Sequence, residues 1–313
     1  MVKYAPMTDL FLGVDLGGTN VKIGVCTAEG EIRGSVSIPT EAARGPKDVI
    51  DRIGAAAEAL QQKTGRARAC GSGVPGPLDL ERTVLFVAVN MPGWKDIPYP
   101  SMLGGSLRIP TFMENDANCA AWGEYICGAG KGTQSLVLYT LGTGVGGGII
   151  INGDMWVGAS GAAGELGHMT IQIGGLKCGC GQLGCVEAYA SASALARRWG
   201  KGSAKECFEA GRRGDPDALA AIDWSADALS IGLANMIHVL HPEIIVLAGG
   251  MAAAGDMLFD RVRAGVRRRV FPVCLEKIRI EPSKLPGDDA GWLGAALWGA
   301  RKVGAYAIRE PTR

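Results

Sequence analysis

The chain has 313 residues, 47% of them hydrophobic and 20% charged, which is enough for a sizeable core and for two domains. Its formal net charge is +1, so the total charge gives no sign of attraction to nucleic acid or to a membrane surface. The nine cysteines are odd in number and no export signal precedes them, which predicts a reducing, cytoplasmic location without disulfides.

The first predicted elements are strands joined by tight turns. LFLGVDL (10–16) is an apolar run typical of a buried strand, GGTN (17–20) is a turn, and VKIGVCT (21–27) alternates as a second strand. IRGSVSI (32–38) predicts a third strand. Residues 46–63 then predict an amphipathic helix that begins at a proline.

The middle of the chain continues with strands that end in glycine or polar residues. RARACGSGVPGP (66–77) predicts a strand that runs into a loop, and TFMEN (111–115) predicts a strand followed by a helix from Asp116. Residues 132–153 carry no charge, which is also a feature of membrane spans. Their glycines favour two strands and a turn instead.

The last part of the chain is mostly helical. EIIVLAGG (243–250) predicts one short buried strand that ends in glycines, and the arginines of 261–269 favour a solvated helix face over a nucleic-acid contact. The predicted helices cover residues 187–199, 204–213, 217–240 and 290–307.

Two segments 125 residues apart share one plan. Residues 13–25 and 138–150 each contain an apolar strand, a tight Gly/Thr turn and a second apolar strand. Glycine turns of this kind can present backbone N–H groups to a phosphate, and Asp15 at the first strand's tip can hold Mg²⁺. The pair predicts two halves of like design with a nucleotide in the cleft between them, although each turn alone is also an ordinary hairpin.

Two other nucleotide motifs are incomplete. GTGVGG (142–147) fits a dinucleotide fingerprint, but a β-like segment follows where that motif requires a helix. GAGKGT (128–133) is similar to a P-loop, but Tyr125 replaces the first glycine and Gly132 follows the lysine. The sequence therefore favours neither motif.

A candidate base lies at a strand-to-helix junction. Asp116 begins a helical stretch, where a helix N-terminus would favour its ionised form, and Asn115 can donate to and accept from sugar hydroxyls. A carboxylate here suits a kinase that acts on an alcohol. The alternative is that Asp116 only caps the helix.

His168, Cys178, Cys180 and Cys185 form a candidate metal set. Three thiolates and an imidazole suit tetrahedral Zn²⁺, and four protein ligands leave no position for a substrate, so the site is predicted to be structural. Reactive thiols, disulfides or another metal are the alternatives. A zinc ion bound by these four residues would draw Glu165 and Glu187 into one region; the alternative is that both are exposed surface acids. The His168 nitrogen that does not bind zinc can still donate to a hydroxyl.

Eight segments in order along nearly the whole chain carry a family resemblance: GVDLGGTNVK, GVPGPL, NMPGW, ENDANCAAWGE, LGTGVGGGII, GAAGELGHM, CGCGQLGCVE and IIVLAGG. In these segments the chain resembles the ROK family of sugar kinases and regulators, in the actin-like (ribonuclease H-like) ATPase superfamily. The resemblance implies a two-domain α/β fold with a nucleotide and sugar cleft between the domains, and it implies ATP, Mg²⁺ and structural Zn²⁺ as cofactors.

The resemblance also implies roles for single residues. Asp116 is the base that takes the proton from the hexose 6-hydroxyl, and Asp15 lies beside Mg²⁺. The ATP phosphate loops are formed by Gly17, Gly18, Thr19, Thr143 and Gly144, with Gly249 and Gly250 near the adenosine. The hexose ligands are Asn115, Asp116, Glu165, His168, Glu187, Gly76 and Asn90. The structural zinc ligands are His168, Cys178, Cys180 and Cys185.

The family fold implies a smaller N-terminal α/β domain, residues 1–117 plus 290–313, and a larger C-terminal α/β domain with the zinc loop, residues 118–289. Closure of the domains on the hexose would exclude water, which competes as phosphoryl acceptor. Family members are often homodimers. The expected partners are a hexose and ATP, with no nucleic acid and no membrane.

Several functions remain open. Glucose is the expected hexose, with fructose, mannose, N-acetylglucosamine, N-acetylmannosamine and allose as alternatives, and polyphosphate is an alternative to ATP. A sugar-responsive regulator would need a DNA-binding domain, for which the 14 residues before Asp15 are too few. A zinc-stabilised binding module without turnover is disfavoured by Asp116 and the two glycine turns.

Overall fold

The computed structural model describes residues 9–88, 91–287 and 289–305, and the predicted strands and helices appear in their predicted order. The strands are β1 (Leu10–Leu16), β2 (Asn20–Thr27), β3 (Ile32–Pro39), β4 (Ala67–Val74), β5 (Leu85–Val87), β6 (Lys95–Ile97), β7 (Thr111–Asn115), β8 (Leu136–Leu141), β9 (Val145–Ile151), β10 (Asp154–Met155), β11 (Ile244–Ala248) and β12 (Arg279–Pro282).

The helices are α1 (Pro46–Thr64), α2 (Tyr99–Leu107), α3 (Asp116–Cys127), α4 (Glu187–Ala190), α5 (Ala192–Trp199), α6 (Ala204–Arg212), α7 (Pro216–Leu240), α8 (Asp256–Arg267), α9 (Pro272–Leu275) and α10 (Ala290–Lys302). Ser191 caps α5 and divides the helix predicted over 187–199 into two. Within the described residues, no helix combines the length and apolar character needed to span a bilayer.

The chain divides into two compact units. The first contains Met1–Lys131, Val157–Ala163 and Asp288–Arg313, and the second contains Gly132–Trp156 and Gly164–Gly287. The division expected after residue 117 differs from this one, because it would cut through α3. That helix packs against α10 and so stays with the first unit.

The first unit is built on a five-stranded sheet in the order β3-β2-β1-β4-β7. β1, β2 and β3 are antiparallel neighbours, whereas β4 and β7 run parallel to β1. Apolar side chains of β1, β2 and β4 form a core with α1 and α2. The turn after β1 and the end of β7 each carry residues of the predicted site.

The second unit repeats this plan in a sheet of order β10-β9-β8-β11-β12. β8 and β9 form an antiparallel hairpin, and β11 runs parallel to β8 on its other side, as β4 does beside β1. β12 takes the place of β7. The predicted likeness of residues 13–25 and 138–150 is confirmed by this shared strand arrangement.

Glycines allow α10 to lie directly on the first sheet. A Cβ on Gly13 would overlap the carbonyl oxygen of Trp292, and a Cβ on Gly71 would overlap that of Ala295. Both obstacles are backbone atoms, which cannot turn away as a side chain can. The helix therefore approaches β1 and β4 more closely than any residue with a Cβ would permit.

Replacing Gly71 by alanine is expected to lower the free energy of unfolding by about 1–3 kcal/mol, because α10 must move off the sheet. Gly105 is a matched control: it lies exposed within α2, and an added Cβ meets nothing within 4 Å. Gly105→Ala should raise stability by up to about 1 kcal/mol through helix propensity. Urea unfolding of both variants checks this, and a Gly71→Ala protein as stable as the wild type would contradict it.

Candidate functional site

The turn between β1 and β2 is held by hydrogen bonds around an exposed backbone. Gly17 N–H donates to Asn20 O at 3.1 Å, and Thr40 donates its hydroxyl to Gly17 O at 2.6 Å and its N–H to Thr19 O at 2.8 Å. Gly18 and Thr19 are exposed at the tip. The predicted phosphate turn is thus fixed in shape, with glycine at the point where a phosphate would need close approach.

Asp15 ends β1 next to charges of both signs. It pairs across the strands with Lys22, and a Cβ on Gly291 at the start of α10 would overlap its carboxylate. Burial raises the pKa of Asp15 to about 6, the nearby Asp116 carboxylate raises the pKa as well, and Lys22 lowers it. A buried carboxylate whose ionisation is opposed by burial and by a neighbouring carboxylate is suited to a divalent cation, so Asp15 fits the predicted Mg²⁺.

Removing the Asp116 charge is expected to lower the pKa of Asp15, since that charge is the second cause of its elevation. Side-chain carboxyl NMR titration of wild type and Asp116→Asn measures the shift. Asp48→Asn is the control, because Asp48 lies in α1 with Arg44 and Arg52 as its partners. An Asp15 pKa that is equal in all three proteins would contradict the predicted proximity of the two carboxylates.

The start of α3 places Asp116 on the surface. Asn115 is the N-cap, and its Oδ1 accepts from Ala117 N–H at 3.0 Å and Asn118 N–H at 3.2 Å. Asp116 is the first helical residue; its Oδ1 accepts from Ala117 N–H at 2.7 Å, and its side chain is exposed. The alternative in which Asp116 is the cap is therefore wrong. The cap occupies the Oδ1 of Asn115, so a sugar hydroxyl would meet its Nδ2.

The second glycine turn is joined to Glu187. Gly142 N–H donates to Gly144 O at 3.0 Å, and Val145 N–H donates to Glu187 Oε2 at 2.9 Å. A Cβ on Gly144 would overlap the Glu187 carboxylate. The turn that contains Thr143 is thus held by the first residue of α4, a link that the linear sequence does not reveal.

The four predicted metal ligands converge. One ligand atom from each of His168, Cys178, Cys180 and Cys185 lies within 4.8 Å of all the others. Cys178 Sγ is 3.7 Å from His168 Nδ1, and Cys180 Sγ is 3.7 Å from Cys185 Sγ. A tetrahedron with Zn–S bonds of about 2.3 Å has sulfur–sulfur edges of about 3.8 Å, so the set fits Zn²⁺.

Backbone pairing closes the loop that carries the cysteines. Lys177 pairs with Leu183, and Thr170 pairs with Cys185. Burial raises the pKa of Cys178 to about 12, whereas a hydrogen bond from the backbone of Gln182 lowers the pKa of Cys180. A bound dication would stabilise all three thiolates and offset the cost of ionising the two buried ones, Cys178 and Cys185.

The two glutamates lie beside this cluster. Glu187 Oε1 is 3.4 Å from Cys178 Sγ, and Glu165 Oε2 is 3.9 Å from His168 Nε2. The Nδ1 of His168 faces Cys178, so its Nε2 is the nitrogen left for the predicted bond to a hydroxyl. Glu187 is not a surface acid, since its carboxylate joins the cluster to the glycine turn. Glu165 is exposed.

A cavity of about 430 Å³ in the second unit opens beside the second glycine turn. Thr143 and Gly250 lie in its mostly apolar wall, while Gly249, with φ +87°, packs its backbone against Leu141. The sequence reading missed the other lining residues, because they come from distant segments. They are Ala192, Ser203, Ala204, Lys205, Phe208, Glu209, Arg212, Met251, Ala253 and Ala254, with Leu141 and Gly142.

Two predicted sugar ligands, Gly76 and Asn90, remain. Gly76 has φ +110°, and a Cβ there would overlap the carbonyl oxygen of Val87, so the approach of β5 already explains a glycine at this position. Asn90 lies outside the described residues.

Known proteins resemble the chain over most of its length. The model of the ROK family matches residues 11–302. The glucokinase of Thermotoga maritima is 37% identical over 313 residues, which cover 94% of this chain and 98% of that protein. A xylose repressor of Bacillus subtilis is 33% identical over 225 residues, which cover 71% of this chain and 58% of that protein.

Two solved structures are similar in fold. The ROK hexokinase from Thermus thermophilus has a TM-score of 0.85 and 35% identity, covering 95% of this chain and 100% of that one. A ROK family glucokinase from Streptomyces griseus, in complex with glucose and AMPPNP, has a TM-score of 0.81 and 32% identity, covering 93% and 99%. The predicted α/β, actin-like ATPase fold class is confirmed by these likenesses.

Proposed function

Because the chain belongs to the ROK family, we propose that it is a kinase that transfers the γ-phosphoryl group of ATP to the 6-hydroxyl of glucose. Relatives called glucokinases, 33–37% identical over more than nine-tenths of this chain, support the proposal. The observation that carries it is the exposed carboxylate of Asp116 at the first position of α3, directly after the cap Asn115.

ATP would be held by the two glycine turns. Backbone N–H groups at Gly17, Gly18 and Gly144, with the hydroxyls of Thr19 and Thr143, would bind the phosphates. The adenosine would occupy the apolar cavity whose wall includes Gly250, with Gly249 behind it. Mg²⁺, when bound beside Asp15, would neutralise charge on the phosphates.

The hexose would be bound by Asn115, Asp116, Glu165, His168 and Glu187. Carboxylates can accept from several hydroxyls, and the Nε2 of His168 can bond another. Zn²⁺ would bind His168, Cys178, Cys180 and Cys185 and fix the loop without chemistry of its own, because its four positions are filled. A homodimer stays a prediction, which light scattering can check.

Phosphoryl transfer needs little covalent work from the protein, so positioning and charge neutralisation dominate. Asp116 would hold the 6-hydroxyl so that its oxygen attacks the γ-phosphorus in line. As the O6–phosphorus bond forms, the bond to the β,γ-bridging oxygen breaks and ADP leaves. The O6 proton passes to the Asp116 carboxylate late in the step.

A substrate panel tests this function. ADP release is measured with glucose, fructose, mannose, N-acetylglucosamine, N-acetylmannosamine and allose, and with polyphosphate in place of ATP. We expect the highest kcat/KM with glucose and ATP. A higher kcat/KM with another hexose would reassign the sugar, and absence of turnover with every sugar would overturn the kinase.

A further inference from the structure

A buried ion pair lies next to the proposed base, and neither partner belongs to the site described above. Arg82 Nε donates to Glu114 Oε2 at 2.9 Å. Their side chains are only 9% and 1% exposed. A buried carboxylate is costly unless it is paired and its remaining lone pairs are satisfied. The contacts of the other carboxylate oxygen of Glu114, Oε1, therefore indicate the role of the ion pair.

Glu114 Oε1 accepts from residues on both sides of Asp116. The donors are the backbone N–H of Asn115 at 2.9 Å and the Nδ2 of Asn118 at 3.0 Å. One carboxylate thus fixes the peptide between Glu114 and Asn115, one residue before Asp116, and a side chain on the first turn of α3. The direction of the Asp116 side chain depends on the backbone that Glu114 holds.

Arg82 joins this network to two further segments. Its Nη1 donates to Asp79 O at 2.9 Å and its Nη2 donates to Gly161 O at 3.0 Å, and a Cβ on Gly161 would overlap the guanidinium. Arg82 itself has φ +59°, a backbone conformation that is unfavourable for a residue with a side chain. Such strain persists only where surrounding contacts hold it, as these do.

We propose that Arg82 is a positioning residue for phosphoryl transfer. Acting through Glu114, it sets the Asn115–Asp116 backbone and so the direction of the Asp116 carboxylate, while it ties the segment around Gly161 to the same network. This inference rests on the proposed kinase function. Displacement of a reacting group by about 1 Å can cost about 10²-fold in rate, so a residue that never touches substrate can control kcat.

A purely structural ion pair would have a different signature. Loss of fold stability lowers the amount of active enzyme but leaves kcat per folded molecule unchanged. A positioning effect that acts through Asp116 disappears once that carboxylate is gone, because nothing is left to position. The two roles are therefore separated by a double-mutant cycle in kcat.

The experiment measures kcat for glucose, per folded active molecule, in Arg82→Met, Asp116→Asn and the double variant. We expect Arg82→Met to lower kcat by about 10- to 100-fold in the wild-type background. In the Asp116→Asn background the further loss should be less than about threefold. KM for ATP should stay within about threefold, since the ATP turns are not part of the network.

Arg82→Lys should fall between wild type and Arg82→Met, because lysine keeps the charge but lacks the planar guanidinium whose three nitrogens reach three separate segments. If Arg82→Met does not fold, the cycle is repeated with Arg82→Met/Glu114→Gln, which leaves no unpaired buried charge. The matched control is Arg269→Met. In the second unit, Arg269 likewise donates to the carboxylate of Asp227 and to the backbone carbonyl of Gly265. Its replacement should leave kcat unchanged.

Wild-type turnover is measured first, so an inactive wild type would count against the kinase and not against Arg82. With an active wild type, equal losses of kcat in both backgrounds, or a wild-type kcat in Arg82→Met, would overturn the positioning role.

Discussion

Asp116→Asn is expected to lower kcat by about 10²-fold or more, while glucose affinity and the free energy of unfolding change little. The amide keeps the shape of the carboxylate, and its oxygen can still accept from Ala117 N–H, so α3 should begin as before. What disappears is the proposed acceptor of the O6 proton. Steady-state kinetics, glucose titration and urea unfolding of one preparation measure the three quantities.

Asp215→Asn is the control for this prediction. Asp215 caps α7 and accepts from Asp217 N–H and Ala218 N–H, so the same exchange is made at another helix start, away from the proposed site. Its kcat should equal that of the wild type. A wild-type rate in Asp116→Asn would remove Asp116 from the role of base, and a matching loss of glucose affinity would assign it to binding.

Cys180→Ser is expected to lose zinc and glucose affinity together, with KM for glucose raised by about tenfold or more. Without the metal, only the backbone pairs Thr170–Cys185 and Lys177–Leu183 would hold the loop, and no bond would join His168 to the cysteines. Glu187 follows Cys185 by two residues, so the segment that positions its carboxylate against Val145 N–H would lose its metal anchor. Elemental analysis, glucose titration and kinetics on chelator-free protein make the comparison.

Cys274→Ser provides the thiol control, because Cys274 lies in α9 outside the cluster. It should retain one zinc per chain and the wild-type KM for glucose. Tight glucose binding by a metal-free Cys180→Ser protein would show that the zinc loop and the sugar ligands are independent.

The features that could be predicted from the sequence depend on residues that lie close together in the chain. The hairpins β1–β2 and β8–β9 are recognisable because apolar runs flank short glycine turns, and both ends of each hairpin are close in the chain. The metal set is recognisable because four suitable ligands fall within 18 residues, from His168 to Cys185. The start of α3 at Asp116 follows from the change between a strand-like and a helical pattern.

The identity of the cap could not be predicted from the local sequence. Asn115, Asp116 and Asn118 all favour helix N-termini, so ENDAN allows more than one cap. The choice depends on where β7 ends, and that is set by its pairing with β4, in which Val74 faces Asn115. The pairing of β7 with β4 thus decides which residue caps α3, and the local sequence alone does not.

Tertiary contacts account for the rest. Arg82 follows a loop with no catalytic pattern, and its partner Glu114 reads as part of an ordinary strand. The link between Glu187 and the second glycine turn joins residues 42 apart, and the wall of the apolar cavity is assembled from several segments. The ion pair, the Glu187 link and the cavity wall have no periodicity or spacing in the sequence from which they could be predicted.

A crystal structure with glucose and AMPPNP would show whether Asp116 is the base, through the distance between glucose O6 and the Asp116 carboxylate. We expect a separation of about 2.6–3.2 Å, with O6 directed at the γ-phosphorus. Glucose bound with O6 turned toward another side chain, and Asp116 beyond hydrogen-bonding distance, would contradict it.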